Sequence, residues 1–115
     1  SQVLHSPLCR ARDTAQLAFP QQPGGVHQVD SLLYTANLTQ AEKQPVLKET
    51  RLLLSEPVAR EGNRVIVAHA PNMADLMGYF VRPEGTVVII QPQGQGRFAY
   101  VASIPPKLWP SLLAP

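Results

Sequence analysis

Apolar positions switch between a period of two and a helical period along this chain, and each switch marks an element. Gln2-Val3-Leu4-His5 reads as a short strand. Ser6-Pro7 follows as a helix start, a hydroxyl able to cap unpaired amides and then a proline suited to the first helical position. Leu8, Ala11, Ala15, Ala18 and Phe19 recur at helical spacing until Pro20 stops the pattern. A Gln/Pro/Gly linker over 21–25 leads to Val26-His27-Gln28-Val29-Asp30, whose alternation predicts a strand or extended edge. Residues 38–55 carry the longest helical pattern. Pro45 is expected to divide it into helices over 39–44 and 46–55, with Val46, Leu47, Leu53 and Leu54 as the buried stripe.

Glu61-Gly62-Asn63 is a turn, and 64–68 is a continuous β-branched run expected of a strand buried on both faces. Pro71 then opens a helix predicted over 72–80, and Arg82-Pro83-Glu84-Gly85 breaks the chain again. Residues 86–91 and 97–103 make a hairpin across Gln93-Gly94-Gln95-Gly96, after which Pro105-Pro106 and 107–109 lead into a short terminal helix or tail. No internal repeat interrupts this order. It predicts an α/β layer fold whose early strands are parallel through right-handed crossovers, with an antiparallel hairpin at one end. Ligands in such sheets gather outside the carboxyl ends of the strands. Arg10, in the first turn of the first helix, and His69, at the end of the β-branched strand, both belong there.

Composition narrows the chemistry. A chain of 115 residues is one domain with room for a core without staples. Ten Lys+Arg against eight Asp+Glu leave a charge of +2 without a basic run or aromatic-interleaved stripe, which argues against a nucleic-acid surface. Any preference for anions must therefore arise in a local pocket. The single Cys9 excludes an internal disulfide and a thiolate cluster, and with the three scattered histidines it gives no metal-ligand spacing. No apolar stretch reaches a membrane span, and no signal-like segment opens the chain. The start at Ser1, with Val3-Leu4 close behind, is expected of a processed product, a truncated chain or a fragment.

Arg10 offers a planar fork of donors matched to phosphate oxygens, beside the unpaired amides of a helix start. An arginine in a first helical turn is, taken alone, an ordinary solvated or salt-bridged residue. His69 follows small and β-branched residues and precedes a helix, so its imidazole should emerge at the mouth of the sheet; a lone histidine is equally compatible with a hydrogen-bonded core or surface role. Gly94-Gln95-Gly96 lies between two strands and is a turn rather than a dinucleotide fingerprint. Arg12 and Asp13 fit either a supporting pair near the pocket or a solvated helix face.

Two segments, Ser6-Pro7-Leu8-Cys9-Arg10-Ala11-Arg12-Asp13-Thr14-Ala15 and Val65-Ile66-Val67-Ala68-His69-Ala70-Pro71-Asn72, together resemble the histidine phosphatase superfamily, the phosphoglycerate-mutase-like fold. Cys9 to Ala15, Pro83-Glu84-Gly85, 91–98, Ile104-Pro105-Pro106 and Trp109 look most like its small, often exported branch that includes lipopolysaccharide-core heptose phosphatases. The resemblance implies a three-layer α/β fold and phosphomonoester hydrolysis through a phosphohistidine, with no metal or organic cofactor. It implies phosphate contacts from Arg10, His69 and Ser6, with Arg10 and His69 as catalytic groups, a phosphorylated small molecule or similar anion as ligand, and a periplasmic or secreted location.

The family's nucleophilic histidine lies in an Arg-His-Gly or Arg-His-Ala motif on its first strand, and nothing in these residues matches it. The chain is thus expected to be a histidine phosphatase-like domain truncated at its N-terminus, inactive alone, that self-associates or takes a strand from another chain. A non-catalytic anion-binding or protein-interaction module is the alternative. His5 and His27 lack the placement of the nucleophile. Glu42, Asp30 and Glu84 are the candidate proton donors by order along the chain, while Asp75 suits a solvent-facing or turn-capping position and Glu42 and Glu49 also resemble a solvated helix face.

Overall fold

The computed structural model describes residues 2–60 and 62–113. Its elements follow the predicted order. Strand β1 (Gln2–His5) leads to helix α1 (Cys9–Ala18), and β2 (Val26–Gln28) and a 3₁₀ turn (Thr35–Asn37) precede α2 (Gln40–Ser55). Strand β3 (Arg64–Val67), helix α3 (Ala70–Met77), the hairpin of β4 (Val87–Gly94) and β5 (Arg97–Ile104), a second 3₁₀ turn (Pro106–Leu108) and α4 (Trp109–Leu113) complete the chain. The result is a mixed α/β fold. A parallel sheet has the order β2-β1-β3, and the antiparallel hairpin is a separate two-stranded sheet rather than an extension of it.

β1 is central because it alone in the parallel sheet has a partner on both sides, with Val3 beside Val26 and Val65. Val3, Leu4, Ala11, Ala15, Leu32, Val46 and Leu76 form the buried apolar core. The small alanines let α1 lie close against the sheet. β3 departs from expectation: all four of its residues are half-buried, because β1 covers only one of its edges, and Ala68 lies beyond the strand and is exposed. The Ser6 amide donates to the Val67 carbonyl and the Gln2 amide to that of Asn63, so residues 63, 65 and 67 address β1. Alternation turns the amides and carbonyls of Arg64, Ile66 and Ala68 toward the open side.

Pro45 does not divide α2, which runs unbroken for 16 residues. The proline sits where its missing N–H and its ring affect only the carbonyl of Ala41, one turn from the helix start, and its own face is exposed. A capping box fixes that start: the Thr39 hydroxyl accepts from the Glu42 amide, and Glu42 Oε1 accepts from the Thr39 amide at 2.9 Å. Of the expected stripe only Val46 is fully buried; Leu47, Leu53 and Leu54 are half-buried, and Thr50 and Ser55 take the remaining buried positions. Arg64 caps the far end, donating from Nη1 to the Leu53 and Glu56 carbonyls.

Other boundaries also shift. α1 starts at Cys9 with Leu8 as its flanking residue, so Ser6 does not cap the helix directly. β2 is shorter than 26–30, and α3 ends at Met77 because Gly78 turns left-handed, with φ of 70°. The hairpin turns on Gln95 and Gly96, both with positive φ, as a two-residue turn between right-twisted strands demands. Its tip docks on α2, the Gly96 amide donating to Ser55 Oγ at 3.0 Å. Of the turn predicted at 61–63, Glu61 lies outside the described residues, while the Gly62 amide donates to the Ala59 carbonyl.

The molecule exposes 7689 Å² of surface, against about 6,200 Å² for a folded monomer of 12.6 kDa. No residue of the hairpin is fully buried, and Val87, Ile89, Tyr100 and Val101 are exposed. No described helix is long and apolar enough to cross a membrane.

Candidate functional site

The carboxyl ends of β1 and β3 lie side by side, and each feeds a helix start. β1 ends at His5 and passes through Ser6-Pro7 into α1, placing Arg10 in that helix's first turn. β3 ends at Val67 and passes through Ala68 to His69, the residue flanking α3, whose extended backbone (φ −133°, ψ 143°) precedes Pro71 in the first turn. Two strand-to-helix junctions that are far apart in sequence thereby meet.

Ser6 and His69 touch directly. Ser6 is fully buried, and His69 Nε2 lies 2.7 Å from its Oγ. The Leu8 amide also donates to that oxygen, at 3.3 Å. The hydroxyl proton is therefore best used toward Nε2, which keeps the imidazole neutral with its own proton on Nδ1. Burial lowers the His69 pKa from its ordinary value, and the nearby Arg10 charge lowers it further. A serine paired with a histidine suggests a nucleophile and its base, but Ser6 is closed off from any substrate, so its hydroxyl orients His69 instead.

Tyr34 completes the group. Its ring stands at 90° to that of His69 with centroids 5.2 Å apart, and Arg10 Cζ lies 5.3 Å from the Tyr34 centroid. Among the described residues the Arg10 guanidinium donates to no protein acceptor, so a cationic fork stands open beside a neutral imidazole. Arg12, by contrast, pairs with Asp13 at 3.3 Å on an exposed helix face. Both Tyr34 and the residue that anchors it, Asn72, escape sequence reasoning, because 31–38 has neither helical nor strand periodicity. The one available signal is the position of Asn72, three residues after His69, where a buried polar side chain can reach back to an irregular segment.

The candidate acids lie elsewhere. Glu42 is committed to the capping box of α2, where the Thr39 amide and hydroxyl hold its carboxyl below the usual range. Asp30 accepts from Gln28 Nε2 at 2.6 Å on the exposed end of β2, and Glu84 is exposed in the loop before β4. Asp75 lies in α3, where the Thr35 hydroxyl chiefly, and then Lys43 at 3.3 Å, hold its carboxyl below the usual range. Glu49 is exposed on α2. His5 is buried with Nδ1 2.9 Å from the Ser6 carbonyl, a structural role, and His27 is exposed on β2. Cys9 is exposed, and no cluster of three or more metal-ligating side chains occurs among the described residues.

Comparison with family models, with curated proteins and with solved structures returned no match for this chain. The functional reading rests on the geometry above and on the residues that carry the resemblance.

Proposed function

We propose that this chain is the phosphate-holding part of a histidine phosphatase-like domain, a three-layer phosphoglycerate-mutase-like fold without its first strand. The observation that carries the reading is the convergence of an open Arg10 fork and a Ser6-held His69 at adjacent strand ends. Arg10 would bind two phosphoryl oxygens at once, and His69 would add a third donor once protonated by the approach of a dianion. In the complete protein these groups would stabilise charge while a phosphoryl group passes from a monoester oxygen to a histidine nitrogen and then to water. That route needs neither metal nor organic cofactor.

The open side of β3 supports the second half of the proposal, that a strand comes from another polypeptide or from a second copy. Arg64, Ile66 and Ala68 direct backbone donors and acceptors there, and no strand of the described residues other than β1 pairs with them. A purely binding role is favoured by one observation: among the described residues no carboxyl group bonds to His69, and Asp75 and Glu42 are both held below the usual carboxylate range by their own partners. Both readings deny this chain turnover on its own, and one assay tests that. The purified chain incubated with an aryl phosphate at pH 5 to 7 should show no turnover. Hydrolysis abolished by changing His5 or His27 would reveal a nucleophile that the reading denies.

A further inference from the structure

We infer that Tyr34 is the positioning residue of this anion site, its ring setting the separation of Arg10 from His69 so that both address one group of oxygens. The inference rests on the anion-binding reading above.

Tyr34 is held from both sides. Leu32 and Thr35 are fully buried, and Asn72 grips the backbone around the tyrosine, accepting from the Thr35 amide at 3.1 Å and donating to the Leu33 carbonyl at 2.6 Å. The 3₁₀ turn over Thr35–Asn37 begins at once, so the tyrosine has little freedom to relocate. Its ring is thereby presented to two partners belonging to two other elements.

Each partner needs it for a different reason. Arg10 projects from an exposed first turn, and its long side chain has no other described contact to choose one conformation. The π-face supplies that choice while leaving the in-plane N–H donors free for oxygens. His69 is fixed at Nε2 by Ser6, and the tyrosine ring standing perpendicular to the imidazole stops it swinging about that bond. The tyrosine hydroxyl, by contrast, makes no hydrogen bond among the described residues, so the ring alone carries the role.

The test compares Tyr34→Phe and Tyr34→Leu by NMR, following inorganic phosphate titrations and the pH titration of the His69 ring in the absence of phosphate. Tyr34→Phe should match the parent in both. Tyr34→Leu should weaken phosphate about three- to fivefold, the scale of a lost exposed cation–π contact. It should also raise the His69 pKa, because Arg10 is released and the ring is uncovered. In an Arg10→Gln background the leucine change should cost phosphate binding little more, which a merely structural role would not produce. Saturable binding by the parent and equal binding by Tyr34→Leu would overturn the inference while leaving the anion site standing, and a Tyr34→Phe as weak as Tyr34→Leu would also overturn it. Absence of phosphate binding by the parent would remove the anion reading. In that case a raised His69 titration in Tyr34→Leu still upholds the positioning of the imidazole, and an unchanged one overturns it.

Discussion

Replacing Asn72 with alanine should be among the most damaging single changes in this chain. The side chain is 3 % exposed and makes two bonds to backbone groups that no regular element satisfies: its Oδ1 accepts from the Thr35 amide and its Nδ2 donates to the Leu33 carbonyl. The Thr35 hydroxyl also donates to Oδ1, at 3.2 Å, but the neighbouring Asp75 carboxylate can take up that proton once Asn72 is gone, so it is not left orphaned. We therefore count two bonds. Each orphaned buried partner costs about 1–3 kcal/mol, so partial rehydration leaves a net loss of about 2–4 kcal/mol. Against a total of roughly 5–15 kcal/mol for a domain this size, that is a large fraction. Urea unfolding followed by circular dichroism should show the midpoint falling by roughly 1–2 M with an unchanged slope. Asn72→Asp should not rescue it, since an oxygen would then face the Leu33 carbonyl and a second carboxylate would stand near Asp75. A loss below about 1 kcal/mol for the alanine variant, or an aspartate variant as stable as the parent, would refute the clamp.

Further outcomes follow from the same contacts. Because the fold favours neutral His69, its contribution to stability is complete above the ordinary imidazole pKa and drains as pH falls below it. Sulfate, dianionic throughout, should bind more tightly from pH 7 to 5, by up to about tenfold per unit while His69 takes up a proton, and the slope should vanish in His69→Ala. Thr39→Ala should cost about 1 kcal/mol in urea unfolding by removing the cap of α2; no change would mean that the cap does not hold that start. Light scattering at micromolar concentration should show self-association, and hydrogen exchange should find Ile66 and Ala68 amides as protected as Val65 and Val67. A monodisperse monomer with fast exchange at Ile66 would show that the β3 edge stays open.

The strand-to-helix junctions were legible because Ser-Pro after an apolar strand and His-Ala-Pro after a β-branched run are local signals, and local signals sufficed to put Arg10 and His69 at the same end of one sheet. The hairpin was legible for the same reason, in Gln95-Gly96. What was not legible depended on distant partners. Pro45 reads as a breaker until the exposed face and capping box of α2 are known. The β-branched run of β3 reads as buried on both faces, yet its burial is decided by what stands beside its open edge. Tyr34 is placed by the bonds of Asn72 to Thr35 and Leu33, 37 and 39 positions away in sequence, which no periodicity reports.

The most direct test of the central claim is an anion titration of the intact chain by NMR with phosphate, sulfate, vanadate or tungstate, using Arg10→Ala and His69→Ala as controls. The account predicts saturable shifts at the amides of residues 8–12 and 69–72, and of the Tyr34 and His69 rings, with both variants much weaker. Spectra unchanged up to tens of millimolar anion, an order-of-magnitude limit for weak binding, or shifts that persist in both variants, would contradict it.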